Sequence, residues 1–138
     1  MAQDYKSIAR CVREEIWTKK NSLLAEEIIS PDCAYQVHDP MTPLVVKGPA
    51  GLRQLVGVYL NAVPDARCTV EETISEGETV MVRWSATGTH SGQLLQIAPT
   101  GKKINIAGVD IYQFANDKIQ NMRIVWDAMG FASQLGIR

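Results

Sequence analysis

The stretch Lys102-Lys-Ile-Asn-Ile-Ala-Gly-Val-Asp-Ile-Tyr-Gln-Phe114, returned by Lys118-Ile-Gln-Asn-Met-Arg-Ile-Val-Trp126, decides how this chain folds. Both runs alternate with the period of a strand, and Asn116-Asp117 supplies the turn between them. The alternation places Ile104, Ile106, Gly108, Asp110, Tyr112 and Phe114 on one face. That face is apolar except for one acid and one phenol. A carboxylate among isoleucines and aromatic rings is costly unless it is hydrogen-bonded or protonated, so Asp110 needs a partner, a water-lined cavity or a task. The return strand closes on a second acid, Asp127, just before a short terminal helix.

Working outward, 138 residues with 46% hydrophobic and 21% charged side chains fit one domain, residues 1–138, with a real core. A net charge of -1 and no long Lys/Arg run leave no footprint for nucleic acid or an anionic membrane. No apolar run is long enough to span a bilayer, and the opening residues lack a signal peptide's hydrophobic region. A soluble cytoplasmic protein is the expectation. Cys11, Cys33 and Cys68 are widely spaced and odd in number, so they read as buried free thiols. Two histidines without ligand spacing make no metal site.

The N-terminal half is helical. Ile8, Val12 and Ile16 make a helical stripe within Gln3 to Trp17, and a short second helix after Asn21 or Ser22 is stopped by Pro31. A strand follows from Cys33 to His38, then a rigid loop over Asp39-Pro40-Met-Thr-Pro43 and a brief apolar run, Leu44-Val-Val. Pro49 opens a third helix whose broad stripe runs through Leu52, Leu55, Val56, Tyr59, Leu60 and Val63 to Pro64. Strands from Arg67 to Ser75 and from Thr79 to about His90 flank a turn at Glu76-Gly77-Glu78. In the second of these strands Val80, Val82, Trp84 and Ala86 form the apolar face. Helices followed by an antiparallel meander define an α+β fold.

An ordered series of short motifs carries a family resemblance. It comprises Gly48-Pro49-x-Gly51, Val63-Pro64-Asp65, Glu76-Gly77-Glu78, Val82-Arg83-Trp84 and Gly88-Thr89-His90-Ser91-Gly92. Pro99-Thr100-Gly101-Lys102, Asp117-Lys118-Ile119, Asp127-x-x-Gly130 and Gln134-Leu135-Gly136 complete it. The series, from about Ser30 to the C-terminus, resembles the SnoaL-like polyketide cyclases of the NTF2-like superfamily. The resemblance implies a cone-shaped barrel, with a curved antiparallel sheet wrapped around three helices, a short C-terminal helix and a deep apolar cavity. It also implies a homodimer formed through the sheet. The founding members close a polyketide ring by aldol condensation without metal or cofactor, using an aspartate that falls at Asp127. A pocket histidine of those enzymes falls at Tyr112 and a pocket asparagine at about His38, and both positions depart from the family pattern.

The candidate catalytic residues are therefore Asp127, Asp110, His38 and Tyr112. Each has a plainer alternative. Asp127 stands where a helix N-cap is expected. Asp110 suits a structural carboxylate bonded to a neighbouring Arg, His or Tyr, His38 a loop anchor and Tyr112 a core aromatic. Tyr35, Tyr59, Trp84, His90 and Met129 are candidate substrate contacts, with core packing or strand-end shaping as their alternatives. The leading reading is a cofactor-free cyclase or isomerase acting on a small, largely apolar carbonyl compound, with Asp127 moving a proton. An epoxide or lactone hydrolase would use the same acids to activate water. A non-catalytic ligand-binding module or a dimerisation scaffold are the readings from other classes.

Overall fold

The computed structural model describes residues 4–38 and 47–136, apart from the His38 side chain. The Asp39-to-Pro43 loop and the Leu44-to-Val46 run expected from sequence lie outside the described residues. Helix α1 (Tyr5–Cys11) starts where the Asp4 carboxylate accepts from the Ser7 backbone N–H at 3.2 Å, and it continues as π-helical turns over Val12–Thr18. Within this unit Ala9, Val12, Arg13, Ile16 and Trp17 are buried. A 3-10 turn, Ser22–Leu24, leads into the short helix α2 (Ala25–Ile28).

Strand β1 (Ile29–His38) begins earlier than expected, because the chain is already extended at Ile29. Pro31 does not stop the helix from a distance; it sits inside β1, where register is interrupted between Ile29 and Ala34. Proline cannot donate to a ladder, and an edge strand tolerates that loss. Helix α3 (Gly48–Ala62) follows, with Pro49 in its first turn. Gly48 adopts a φ of 66°, and a Cβ there would fall 2.7 Å from the Pro31 carbonyl oxygen, so this close turn excludes other residues.

Strands β2 (Arg67–Glu76), β3 (Thr79–Thr89), β4 (Lys103–Ala115) and β5 (Lys118–Trp126) form the meander. The five-stranded curved sheet has the order β1-β5-β4-β3-β2. Pairing from β2 to β5 is antiparallel, while β1 joins β5 in parallel. Asn116 and Asp117, with φ of 53° and 64°, make the expected tight turn, since two left-handed residues suit the twist of a hairpin. Ile104, Asp110, Tyr112 and Phe114 of β4 point inward beside Val80, Val82, Trp84 and Ala86 of β3, as the alternation requires. Helix α3 packs on β1, the π-helical turns on β2, and the C-terminal helix α4 (Ala128–Leu135) on β4. Between helices and sheet lies the core, with a cavity toward one end.

Candidate active site

The cavity has a volume of about 70 Å³ and is walled by Leu55, Tyr59, Trp84, Ile106, Trp126, Phe131 and further apolar side chains. Among the described residues one charged group lines it, Arg13 of the π-helical turns. The guanidinium lies over the Trp84 ring at 3.8 Å and over the Trp17 ring at 4.8 Å, a cation between two aromatic faces. Its Nε and Nη2 donate to Oδ2 and Oδ1 of Asp110, each at 2.8 Å. Trp84 Nε1 also donates to Oδ1 at 2.9 Å, and the Tyr112 hydroxyl donates to Oδ2. Asp110 is completely buried, and these donors compensate the desolvation its charge would otherwise suffer.

Burial works against the charge on Arg13, but the Asp110 carboxylate outweighs it and holds the guanidinium more firmly protonated than usual. Burial and then Asp110 push the Tyr112 phenol well above its ordinary value, so it stays a neutral donor. Burial likewise raises the thiol of Cys68, which lines the cavity beside Arg13, and a protonated thiol is a poor nucleophile. Asp110 and Tyr112, on one face of β4, thus meet, with Asp110 committed to Arg13 and the Tyr112 hydroxyl to Asp110.

Asp127 follows the last residue of β5, between the cavity-lining Trp126 and Phe131 in sequence, and does not itself line the cavity. Its side chain is exposed and caps α4, with Oδ1 accepting from Gly130 N–H at 2.8 Å. A Cβ on residue 130 would fall 2.1 Å from Oδ2, so glycine is what allows the carboxylate to fold over the helix start. His38 pairs in register with Val125, which brings the last residue of β1 to the same end of the sheet as Asp127.

The other candidates separate. Trp84 and Tyr59 line the cavity, and Tyr59 sets its ring edge-on to Trp126 at 5.6 Å. Tyr35 donates to the Gly48 carbonyl at 2.7 Å and secures the start of α3. His90 is fully buried away from the cavity lining. Its Nδ1 accepts from Thr100 N–H at 3.2 Å, and its backbone bonds Gly101 and Lys102, so it pins the 91–101 loop. Met129 is 85% exposed on α4 and does not line the cavity.

Arg13, Trp17 and Trp126 are the lining residues that reading the sequence for chemistry passes over. A signal for Arg13 does exist, because on a helical wheel it falls between Ala9 and Trp17, inside the apolar sector. A lone cation there, in a chain whose β4 buries an acid, points to a pair. Trp84 and Trp126 both approach over Gly108, where a Cβ would fall 2.5 Å from the Trp84 ring and 2.9 Å from Trp126 Cβ. Among the described residues no His, Cys, Asp or Glu cluster could hold a metal ion, and no helix is long and apolar enough to cross a membrane.

An α+β arrangement of helices on a curved five-stranded sheet is the NTF2-like architecture. The family model for SnoaL-like polyketide cyclase matches residues 8–135, and the chain belongs to that family. A protein from Acidithiobacillus ferrooxidans, provisionally named a polyketide cyclase, superposes with a TM-score of 0.83 at 25% identity, over 99% of this chain and 96% of that one. TsrD from Streptomyces laurentii gives 0.85 at 18% identity, over 100% of both chains. A SnoaL-like polyketide cyclase from Agrobacterium tumefaciens gives 0.76 at 17%, over 98% of this chain and 100% of that one. The last two likenesses concern the fold alone. No protein with a curated description matches the chain.

Proposed function

We propose that this chain is a cofactor-independent enzyme of the cyclase or isomerase type, moving a proton on a largely apolar carbonyl compound held in the cavity. The observation that carries the reading is the division of labour between the two acids. Asp110 is saturated by Arg13, Trp84 and Tyr112, which leaves it no role as a base, whereas Asp127, next in sequence to the cavity-lining Trp126, is exposed and pairs with no cation among the described residues. Asp127 is therefore the proton carrier in this reading, with His38 at the neighbouring strand end as its partner in proton passage. The apolar wall supplies the low-dielectric surroundings in which a carbonyl is polarised most effectively by a few fixed donors. Three free cysteines suit a reducing, cytoplasmic setting.

A second reading has a specific observation in its favour. Both acids are satisfied by structural hydrogen bonds, Asp110 in its ion pair and Asp127 as a helix cap, which is what a non-catalytic carrier of apolar ligands would show. Proton exchange separates the two. With acetophenone in D2O, the enzyme reading requires loss of the methyl proton signal faster than in buffer. A carrier would bind the ketone and leave the exchange rate unchanged.

A further inference from the structure

Outside the cavity, a polar groove runs round the end of the sheet, bordered by Lys20, Asp65, Arg67, Thr87, Thr89 and Lys103. Strand register fixes its floor. Arg67 of β2 stands opposite Thr87 of β3, and Lys103 of β4 stands opposite Thr89. All four alternate with the buried Cys68, Ala86, His90 and Ile104, so they belong to the outer face of the sheet. The two threonines are neighbours on that face of β3, and a cation flanks them from the strand on either side, the two strands being about 10 Å apart. Neither Arg67 nor Lys103 makes a hydrogen bond or ion pair with a described residue. The acids nearby are already engaged. Asp65 accepts from Thr89 N–H at 2.8 Å and has Lys20 beside it, and Glu71 accepts from the Ser85 hydroxyl at 2.7 Å.

We propose that Arg67 and Lys103, with the Thr87 and Thr89 hydroxyls between them, form a seat for a phosphate monoester. The site lies outside the cavity and stands apart from the carbonyl chemistry proposed above. Charge sets the class of ligand. Lys20 and Asp65 offset one another, which leaves two unpaired cations, and a phosphate monoester above its second ionisation, near pH 6, brings two negative charges. Shape points the same way. The cations approach from opposite sides of β3 and the hydroxyls lie on the strand between them, so the acceptor must present oxygens in several directions at once. A tetrahedral phosphate does so, accepting from the guanidinium fork on one side and the ammonium on the other. A carboxylate has two oxygens in one plane and a single charge, and cannot serve both cations and the hydroxyls equally.

Methyl phosphate and acetate, neither of which carries an apolar body to draw it into the cavity, are the probes. They are titrated into the full chain at pH 7.5 and low ionic strength, with backbone amide shifts in a 15N spectrum as the readout. Methyl phosphate should move the amides of Arg67, Thr87, Thr89 and Lys103 along one saturable curve. It should bind about threefold or more tightly than acetate, the gain expected when a second exposed charge is engaged. Arg67→Gln and Lys103→Gln, both at exposed positions, should each weaken methyl phosphate by about threefold. Arg83 lies on the same outer face but is already paired with Glu72, so Arg83→Gln should leave the affinity unchanged. No saturable shift, shifts centred elsewhere on the chain, equal affinity for acetate, full affinity in Arg67→Gln or Lys103→Gln, or an equal loss in Arg83→Gln would each overturn the seat. All of these are read without turnover, so failure here leaves the reading of the cavity untouched.

Discussion

Arg13 and Asp110, 97 residues apart in the chain, meet through two parallel hydrogen bonds of 2.8 Å inside the cone. The pair ties the N-terminal helical unit to the middle of β4, and both side chains are almost completely buried. Removing one partner of such a pair leaves a charge that neither water nor a neighbour compensates, which costs about 3–5 kcal/mol. Asp110→Ala should lower the urea unfolding free energy by that amount. A loss below about 1 kcal/mol would show that the pair does not hold the helix to the sheet.

Tyr112 serves the same carboxylate from two residues along β4. Tyr112→Phe removes a hydrogen bond to a charged acceptor, and its expected cost is roughly 1.5–3 kcal/mol of stability. Acetophenone affinity should stay at the wild-type value, because the hydroxyl is turned to Asp110 and Tyr112 does not line the cavity. Weaker ketone binding with unaltered stability would instead make the phenol a ligand contact.

The alkaline limit of stability follows from buried neutral acids. Burial pushes the Cys33 thiol from 9.0 up to about 11, and it raises the phenols of Tyr35 and Tyr112 above their ordinary 10.0. Each group keeps its proton longer when folded than when unfolded, so its contribution is complete below the unfolded value and is lost as pH rises through the folded one. Urea midpoints should therefore hold up to about pH 9 and decline steadily toward pH 11, with a shallower decline in Cys33→Ala. Midpoints that stay level across that window would contradict the burial of these groups.

The outer face of the sheet carries a row of apolar residues, Ile74, Met81 and Ile111, in direct register across β2, β3 and β4, with Val109 beside Val125 in the next row. Ile74 and Val125 are 57% and 47% exposed in the single chain. An apolar row of this kind, bordered by the Arg83–Glu72 ion pair and by Arg123, is suited to a second copy of itself, and a homodimer through it is expected. Light scattering at micromolar concentration should return twice the chain mass, and Met81→Asp should return one. A wild-type monomer at every concentration would remove this face as an interface.

Much of this architecture is legible from local pattern. The strict alternation of β3 and β4, the Asn116-Asp117 turn and the stripe of α3 each express one period or one dihedral preference, and each appears where the residues place it. What could not be read is non-local. The parallel docking of β1 on β5 depends on an edge left open by the meander, and the extension already present at Ile29 depends on tertiary pairing that overrides a helical pattern. The sequence of β4 announces that Asp110 requires a partner, and the helical wheel sets Arg13 in an apolar sector, but joining the two across 97 residues depends on how the first helical unit packs on the sheet. At Asp127 one residue type suits two tasks, and the cap it makes on Gly130 accounts for its presence without chemistry.

That ambiguity makes Asp127→Asn the most direct test of the account. Asparagine caps a helix about as well as aspartate, so α4 should remain in place and the unfolding midpoint should stay close to wild type. It cannot carry a proton, and losing a positioned acid/base group typically lowers a rate on the order of a hundred to ten thousand fold. The measurement is the enzyme-dependent rate of deuterium incorporation into the acetophenone methyl group, at matched saturation, for wild type and Asp127→Asn. The account requires that rate to fall by at least about a hundredfold in a folded variant that still binds the ketone. An unchanged rate in the folded variant would contradict it and return Asp127 to the role of a helix cap.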